Sequence, residues 1–276
     1  MPLDIINNKI RTVSANVADG SFPISNVLTE YKSEVYKSTG ASAVITVNAT
    51  SSNQDGSGVG GVYIGGTNAY KMEVSLDGAG AVTTYRDDVT AITTDTTYTE
   101  DTTIAGDIIV EAGVTLTTAA GVTIENIEPY NVDKQLWYKH PRVVGNYTLT
   151  ITLYTLDPIL EIGIIRAGSI HSFRAPKHGL IEGEIDTSVR LVLLSGGMYT
   201  KERVRLRTLS GSIDVDPEDM YNIKSMLDKA LFTGVAAKYY DTSVRGLIYG
   251  RLTQSSSVNL QSLNLHVLTF SVRENV

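Results

Sequence analysis

The chain contains no cysteine, so it builds no disulfide framework and offers no thiolate to a metal. That excludes the small stapled secreted scaffolds and cysteine-type zinc sites, while leaving the compartment open. Positive charge is also short: 23 Lys and Arg face 30 Asp and Glu, for a net charge of −7 and a pI near 5.1. That sign is wrong for a protein whose main task is gripping phosphate backbones, and no direct nucleic-acid recognition is expected. No window approaches the ~18 consecutive apolar residues of a membrane span. The opening "MPLDIINNKIRTVSANVADG" has no basic segment followed by an apolar run. We therefore expect no membrane insertion, and a chain made in the cytoplasm and left unprocessed. Helical periodicity is scarce as well, with one convincing segment.

What is present points to β structure: 24 Gly, 15 Tyr and long Thr-rich runs, with 42% hydrophobic residues, enough to fill a core over 276 positions. In "NYTLTITLY" Tyr147, Leu149, Ile151 and Leu153 share one face and threonines the other, the pattern of a half-buried strand. "AVITV" sets Ile45 and Val47 together, "GVYIGG" is a short apolar strand, and "LEIGIIRAG" puts Leu160, Ile162 and Ile164 on one side. Between residues 83 and 127 the texture turns Thr- and Asp-rich, and Gly113-Val-Thr-Leu recurs as Gly121-Val-Thr-Ile. This segment is expected to be a β insert: a small hairpin or scrap of β-solenoid, or else an ordinary meander.

Composition shifts again near Gly168. Through residue 168 there are 19 acidic and 10 basic side chains; beyond it, 11 and 13. The expected division is 1–168, a β-sandwich carrying the insert, and 169–276, a β domain with one helix. That helix is expected near 217–232: Asp216 can cap it, Pro217 suits its first position, Glu218 and Asp219 favour its positive end, and Gly234 can close it. Met220, Ile223, Leu227 and Leu231 form its buried stripe. In "SLNLHVLTFSVREN" the alternation changes phase between Leu263, Leu265, Val267 and Leu268, Phe270, Val272. A β-bulge near Val267 and Leu268 explains this; so does a strand buried on both faces.

Signals for catalysis are weak. Gly56, Gly58 and Gly61 satisfy G-x-G-x-x-G, but the strand-like "VYIGGT" follows where a pyrophosphate site needs a helix N-terminus. His171 and His178 flank the basic "SFRAPK", which reads as a surface loop, and neither His140 nor His266 completes a metal pattern. Asp87, Asp88, Asp95, Glu100, Asp101 and Asp107 read as a solvated acidic loop and match a calcium loop only loosely. No G-x-S-x-G elbow occurs. No cofactor, metal or catalytic residue is assigned. One constellation is regular: Glu182, Glu184 and Asp186 alternate, as do Arg203, Arg205 and Arg207. Each trio lines one face of a strand, giving either an internal cross-strand charge ladder or an Arg face that meets an acidic surface of another subunit.

The stretch "FPISNVLTEYKSEVYKSTGASAVITV" resembles the entry of galactose-binding-like jelly-roll domains in minor tail proteins of long-tailed bacteriophages, with Tyr36-Lys37 where the pattern has Trp-Arg. "GGVYIGGTNA" and "LEIGIIRAG" resemble a following and a closing strand of that domain. The segments "GLIEGEIDTSVR", "RVRLRTLSGSIDVDPEDMYNIKSMLDKAL" and "LIYGRL" resemble the companion β domain of distal tail or baseplate proteins. The resemblance implies a structural virion protein of the tail, with no enzymatic activity. It also implies a homo-oligomeric ring, a hexamer, contacting the tail tube and baseplate hub. The alternative is a carbohydrate-binding module that attaches to host surface glycans.

Overall fold

The computed structural model describes residues 3–30, 32–51, 59–86, 88–127, 134–141, 143–173, 180–192, 198–201, 203, 205–217, 220–229, 231–239, 246–253, 257–262 and 265–275. The chain opens with β1 (Leu3–Asn8) and β2 (Ile10–Ala15), then a 3-10 turn (Ile24–Leu28) and β3 (Tyr36–Lys37). The strands β4 (Ser42–Ser51), β5 (Val59–Gly65), β6 (Lys71–Leu76) and β7 (Val82–Tyr85) follow. After the insert come β14 (Gln135–Pro141), β15 (Gly145–Tyr154), β16 (Glu161–Ile162) and β17 (Ile164–Phe173). A sheet ordered β2-β4-β15-β6-β7 packs on β14, β5 and β17 to make a sandwich. Its core holds Ile45, Val47, Leu149, Ile151 and Leu153, the alternating residues of β4 and β15, which pair along their whole length. The 3-10 turn buries Val27 in this core, and Asn26 Nδ2 donates to Val35 O at 2.9 Å.

The insert is neither a hairpin nor a meander. It is two coils of a parallel β-solenoid with three faces: β8 (Val89–Ile92), β9 (Thr96–Tyr98) and β10 (Thr102–Ala105), then β11 (Asp107–Val110), β12 (Leu116–Thr118) and β13 (Ile124–Ile127). Each face is a parallel pair: β8 with β11, β9 with β12, β10 with β13. Ile92, Ile104 and Ile109 are buried between them. The Gly-Val-Thr repeat marks two corners of the second coil, where Gly113 and Gly121 adopt φ of 84° and 83°. In the first coil the corresponding corners are Asp95 and Asp101, whose carboxylates accept the N–H of Thr115 at 2.7 Å and of Thr123 at 2.8 Å. These acidic residues tie one coil to the next, so the segment is not the loose acidic loop its composition suggests. Asp87 lies outside the described residues.

The second half contributes β18 (Leu180–Ile185), β19 (Val189–Val192), β20 (Met198–Lys201), β21 (Leu206–Val215), helix α1 (Met220–Lys229), β22 (Val235–Tyr239), β23 (Leu247–Leu252), β24 (Ser257–Ser262) and β25 (Leu265–Glu274). One ten-stranded sheet runs through both halves in the order β14-β5-β17-β1-β22-β23-β25-β21-β18, with β24 added on β25. The N-terminal strand sits at its middle: Ile5 is opposite His171 of β17 on one side and Ala237 of β22 on the other. The expected boundary at residue 168 therefore falls inside β17, where Gly168 is opposite both Asn8 and Gly61. A Cβ at Gly168 would collide with the Asn7 carbonyl, which is why glycine stands at this crossing.

Helix α1 lies within the expected span, and Ile223 and Leu227 of its stripe are buried beside Met226, while Met220 and Leu231 pack at the margin. The Met220 N–H donates to Asp216 O at 3.1 Å, so the cap region winds as read; Glu218 and Asp219 lie outside the described residues. Gly234 does not close the helix through a left-handed turn. It is glycine because a Cβ there would collide with the Tyr249 ring. Three other expectations change. The β21 to β25 register runs unbroken from Thr208 and Arg273 to Val215 and His266, so no bulge interrupts Val267 and Leu268 in that ladder. Both are buried, which is the other reading of this stretch, a strand covered on both faces; Leu263 lies outside the described residues. Ile162 and Ile164 do not share a side: the strand is interrupted by a bend at Gly163, and Ile165 takes the place facing the sandwich core. His171 is a buried residue of β17 and no part of a surface loop; Arg174, Lys177 and His178 lie outside the described residues.

Candidate assembly surface

Four strands of the second half build an exposed edge of the fold. β18 pairs antiparallel with β21 at the edge of the large sheet, and β19 continues it by pairing with β20. Beyond Ile185 and Leu206, β19 and β20 pair as a two-stranded sheet of their own, and the four strands together make an arm. Ile181 is 66% exposed and Ile185 41% exposed, and Lys201, Arg203 and Arg205 are exposed as well. An apolar strand face left in water contributes nothing to the stability of the monomer.

The six charged residues singled out by their alternation meet at the root of this arm. Arg207 reaches Glu182 at 3.1 Å and Arg205 reaches Glu184 at 3.6 Å, each across the diagonal of the β18 to β21 ladder. Asp186 instead accepts the N–H of Ser188 at 2.9 Å at the bend into β19, and the Arg203 N–H donates to Ser188 Oγ at 3.2 Å. The pairs differ in depth. Arg205 is 69% exposed, whereas Arg207 is 11% exposed and also donates to Leu247 O at 3.2 Å. Tyr239 Oη donates to Glu182 as well, and burial, helped by that carboxylate, pushes its phenol pKa up. Exchanging Arg205 and Glu184 should change stability by less than about 1 kcal/mol. Arg207→Ala should cost about 2–3 kcal/mol by removing the partner of a half-buried carboxylate and a carbonyl's donor. Urea unfolding of the two variants checks this difference.

A second exposed apolar surface follows helix α1. Tyr221 and Phe232 are 83% and 76% exposed, and they line a groove of 440 Å³ with Lys224 and Asp228, themselves ion-paired at 2.6 Å. A neighbouring cavity of 310 Å³ reaches Ile6, Glu30 and Val235. Its acidic wall is already engaged. Glu30 Oε1 is 3.1 Å from Arg166, and Oε2 accepts Tyr249 Oη at 2.8 Å and the Gly234 N–H. Arg166, 1% exposed, further donates to Thr29 O and Tyr249 Oη, both at 2.8 Å, and to Ile165 O at 2.9 Å. Burial, more than the Glu30 carboxylate, drives the Tyr249 pKa up. This carboxylate holds the two halves of the chain together, with both of its oxygens engaged.

Gly61 lies in β5, a strand as read, while Gly56 and Gly58 lie outside the described residues. Among the described residues no three His, Asp or Glu side chains gather to hold a metal ion. No helix among them is long and apolar enough to cross a membrane. The sequence pointed to the charge trios but gave no sign of Arg166, an arginine in an apolar run. Its nearest signal is the flanking "GIIRAG", where a lone charge inside a buried strand demands partners. Comparison with protein-family models, curated proteins and solved structures finds no match to this chain.

Proposed function

We propose that the chain is a structural subunit of a bacteriophage tail tip or baseplate, closing into a ring with copies of itself and joining the tail tube to hub or fibre proteins. The observation that carries this reading is the arm of β18 to β21, with Ile181 and Ile185 exposed on a strand at the edge of the large sheet. Such a surface is a site for another chain. The groove of Tyr221 and Phe232 adds a second. The resemblance to distal tail proteins supplies the kind of assembly: a ring of six, made in the host cytoplasm and carried in the virion tail.

A carbohydrate-binding role at the host surface is the second reading. It is favoured by Tyr85 and Tyr154, which donate to Glu111 and Glu73 around Lys71 on the outer face of the sandwich. Light scattering on the purified chain, followed by negative-stain imaging, separates the two. We expect a closed ring with a central opening at micromolar concentration. A monomer that binds a surface polysaccharide in a glycan screen would overturn the ring reading and establish the second.

A further inference from the structure

The insert and the arm carry opposite charge. Residues 88–127 contain seven acidic side chains and no Lys or Arg. Asp95, Glu100, Asp101, Asp107 and Glu125 are exposed. The outer half of the arm, residues 187–205, contains Arg190, Lys201, Arg203 and Arg205 against Glu202 alone. Lys201, Arg203 and Arg205 are exposed, so these cations are not covered by the acidic coils of their own chain.

The coils are also incomplete as a solenoid. Each of their three faces is a two-stranded sheet, so the outer edge of every strand is without a strand neighbour among the described residues. Solenoid coils bury their interior by stacking, and two coils fall short of the roughly three repeats that such arrays need for stability. Such strand edges are where an added strand pairs. A second insert is a poor candidate for that place, since two uniformly acidic surfaces repel. A basic strand pair is a good one.

We propose that the basic outer half of the arm of one copy docks on the acidic solenoid insert of the next copy. The contact joins two different surfaces of the same chain. It is therefore heterologous, the class of interface that closes into rings when the rotation permits. This rests on the ring reading above and names the surfaces that meet. Complementary charge steers the encounter and fixes which surfaces pair, and the contact weakens as salt rises.

The test is reversal of each surface in the full chain, followed by sedimentation velocity at low ionic strength. Lys201→Glu with Arg203→Glu reverses the arm, and Glu100→Lys with Glu125→Lys reverses the insert. Those four side chains are exposed, and the carboxylates of Asp95 and Asp101 that hold the coils together are left alone. Each reversal is expected to raise the concentration for half-assembly by about tenfold or more, and the chain carrying all four to recover most of the loss. Thermal unfolding verifies each fold. If a reversed chain does not fold, Arg203→Gln and Glu125→Gln replace the reversals and should weaken assembly in the same direction. A ring indifferent to the reversals, or one that the fourfold variant fails to restore, overturns the docking and leaves the ring reading standing. A wild-type chain that stays monomeric at low ionic strength overturns both.

Discussion

Deleting residues 1–8 is expected to abolish the cooperative unfolding transition of the whole chain. The strand lost is β1, which lies between β17 and β22 in the middle of the ten-stranded sheet. Leu3, Ile5 and Ile6 are at most 1% exposed, and they serve two cores: Leu3 and Ile5 the helix-covered one, Ile6 the one around Tyr63 and Trp137. Burying three such side chains contributes about 5–9 kcal/mol at ~1.5–3 kcal/mol each. That alone is comparable with the ~5–15 kcal/mol by which a domain is stable. The deletion also strips the ladder partners from the inner edges of β17 and β22, and the partner from Ser172, whose hydroxyl donates to Asp4 at 2.6 Å. Scanning calorimetry should show no sharp endotherm, while Ile5→Ala should keep one, lowered by about 2–5 kcal/mol of stability. A truncated chain that melts sharply near the wild-type temperature would show that β1 is dispensable and that the two halves hold without it.

The second large effect is expected at Arg166. Its guanidinium touches four elements: the carbonyls of Val27 and Thr29 in and after the 3-10 turn, the carbonyl of Ile165, Glu30, and the hydroxyl and ring face of Tyr249. Replacing it with Met keeps the stem and leaves Glu30, 22% exposed, facing the Tyr249 hydroxyl without its cation. Breaking a buried pair from one side costs about 3–5 kcal/mol. Removing the carboxylate too should give some of this back. Arg166→Met is therefore expected to lose about 3–5 kcal/mol in urea unfolding, and the double variant with Glu30→Gln to be more stable than the sum of the single changes predicts. Strict additivity would mean that Arg166 acts through packing alone.

Both predictions concern residues that local pattern reading passes over, and the reason is the same in each. "LDIINN" alternates poorly because β1 is buried on both faces, so its letters look like neither a half-buried strand nor a helix. Arg166 sits among apolar letters, and its partners come from positions 27–30 and 249, brought together by the fold. By contrast, β4 and β15 were legible because each has one face in a core and one in water, which writes a period of two into the sequence. The charge trios were legible for the same reason, although their diagonal offset was not: the register of β18 on β21 is set by the sheet around them.

The sequence by itself determined that this is a mainly-β chain with a helix in its second half, that an acidic Thr-rich segment interrupts its first half, and where several strands run, among them β4, β5 and β15. Those properties are local, fixed by side-chain period, capping and turn chemistry over a few residues. Only the tertiary structure decided that the insert winds as parallel coils rather than a meander, since Gly-Val-Thr corners serve either path until the pairing is chosen. Only it made residues 3–8 the bridge between Phe173 and Tyr239. Strand pairing between distant segments is selected by the free energy of the assembled sheet and core, which no short window of the chain contains.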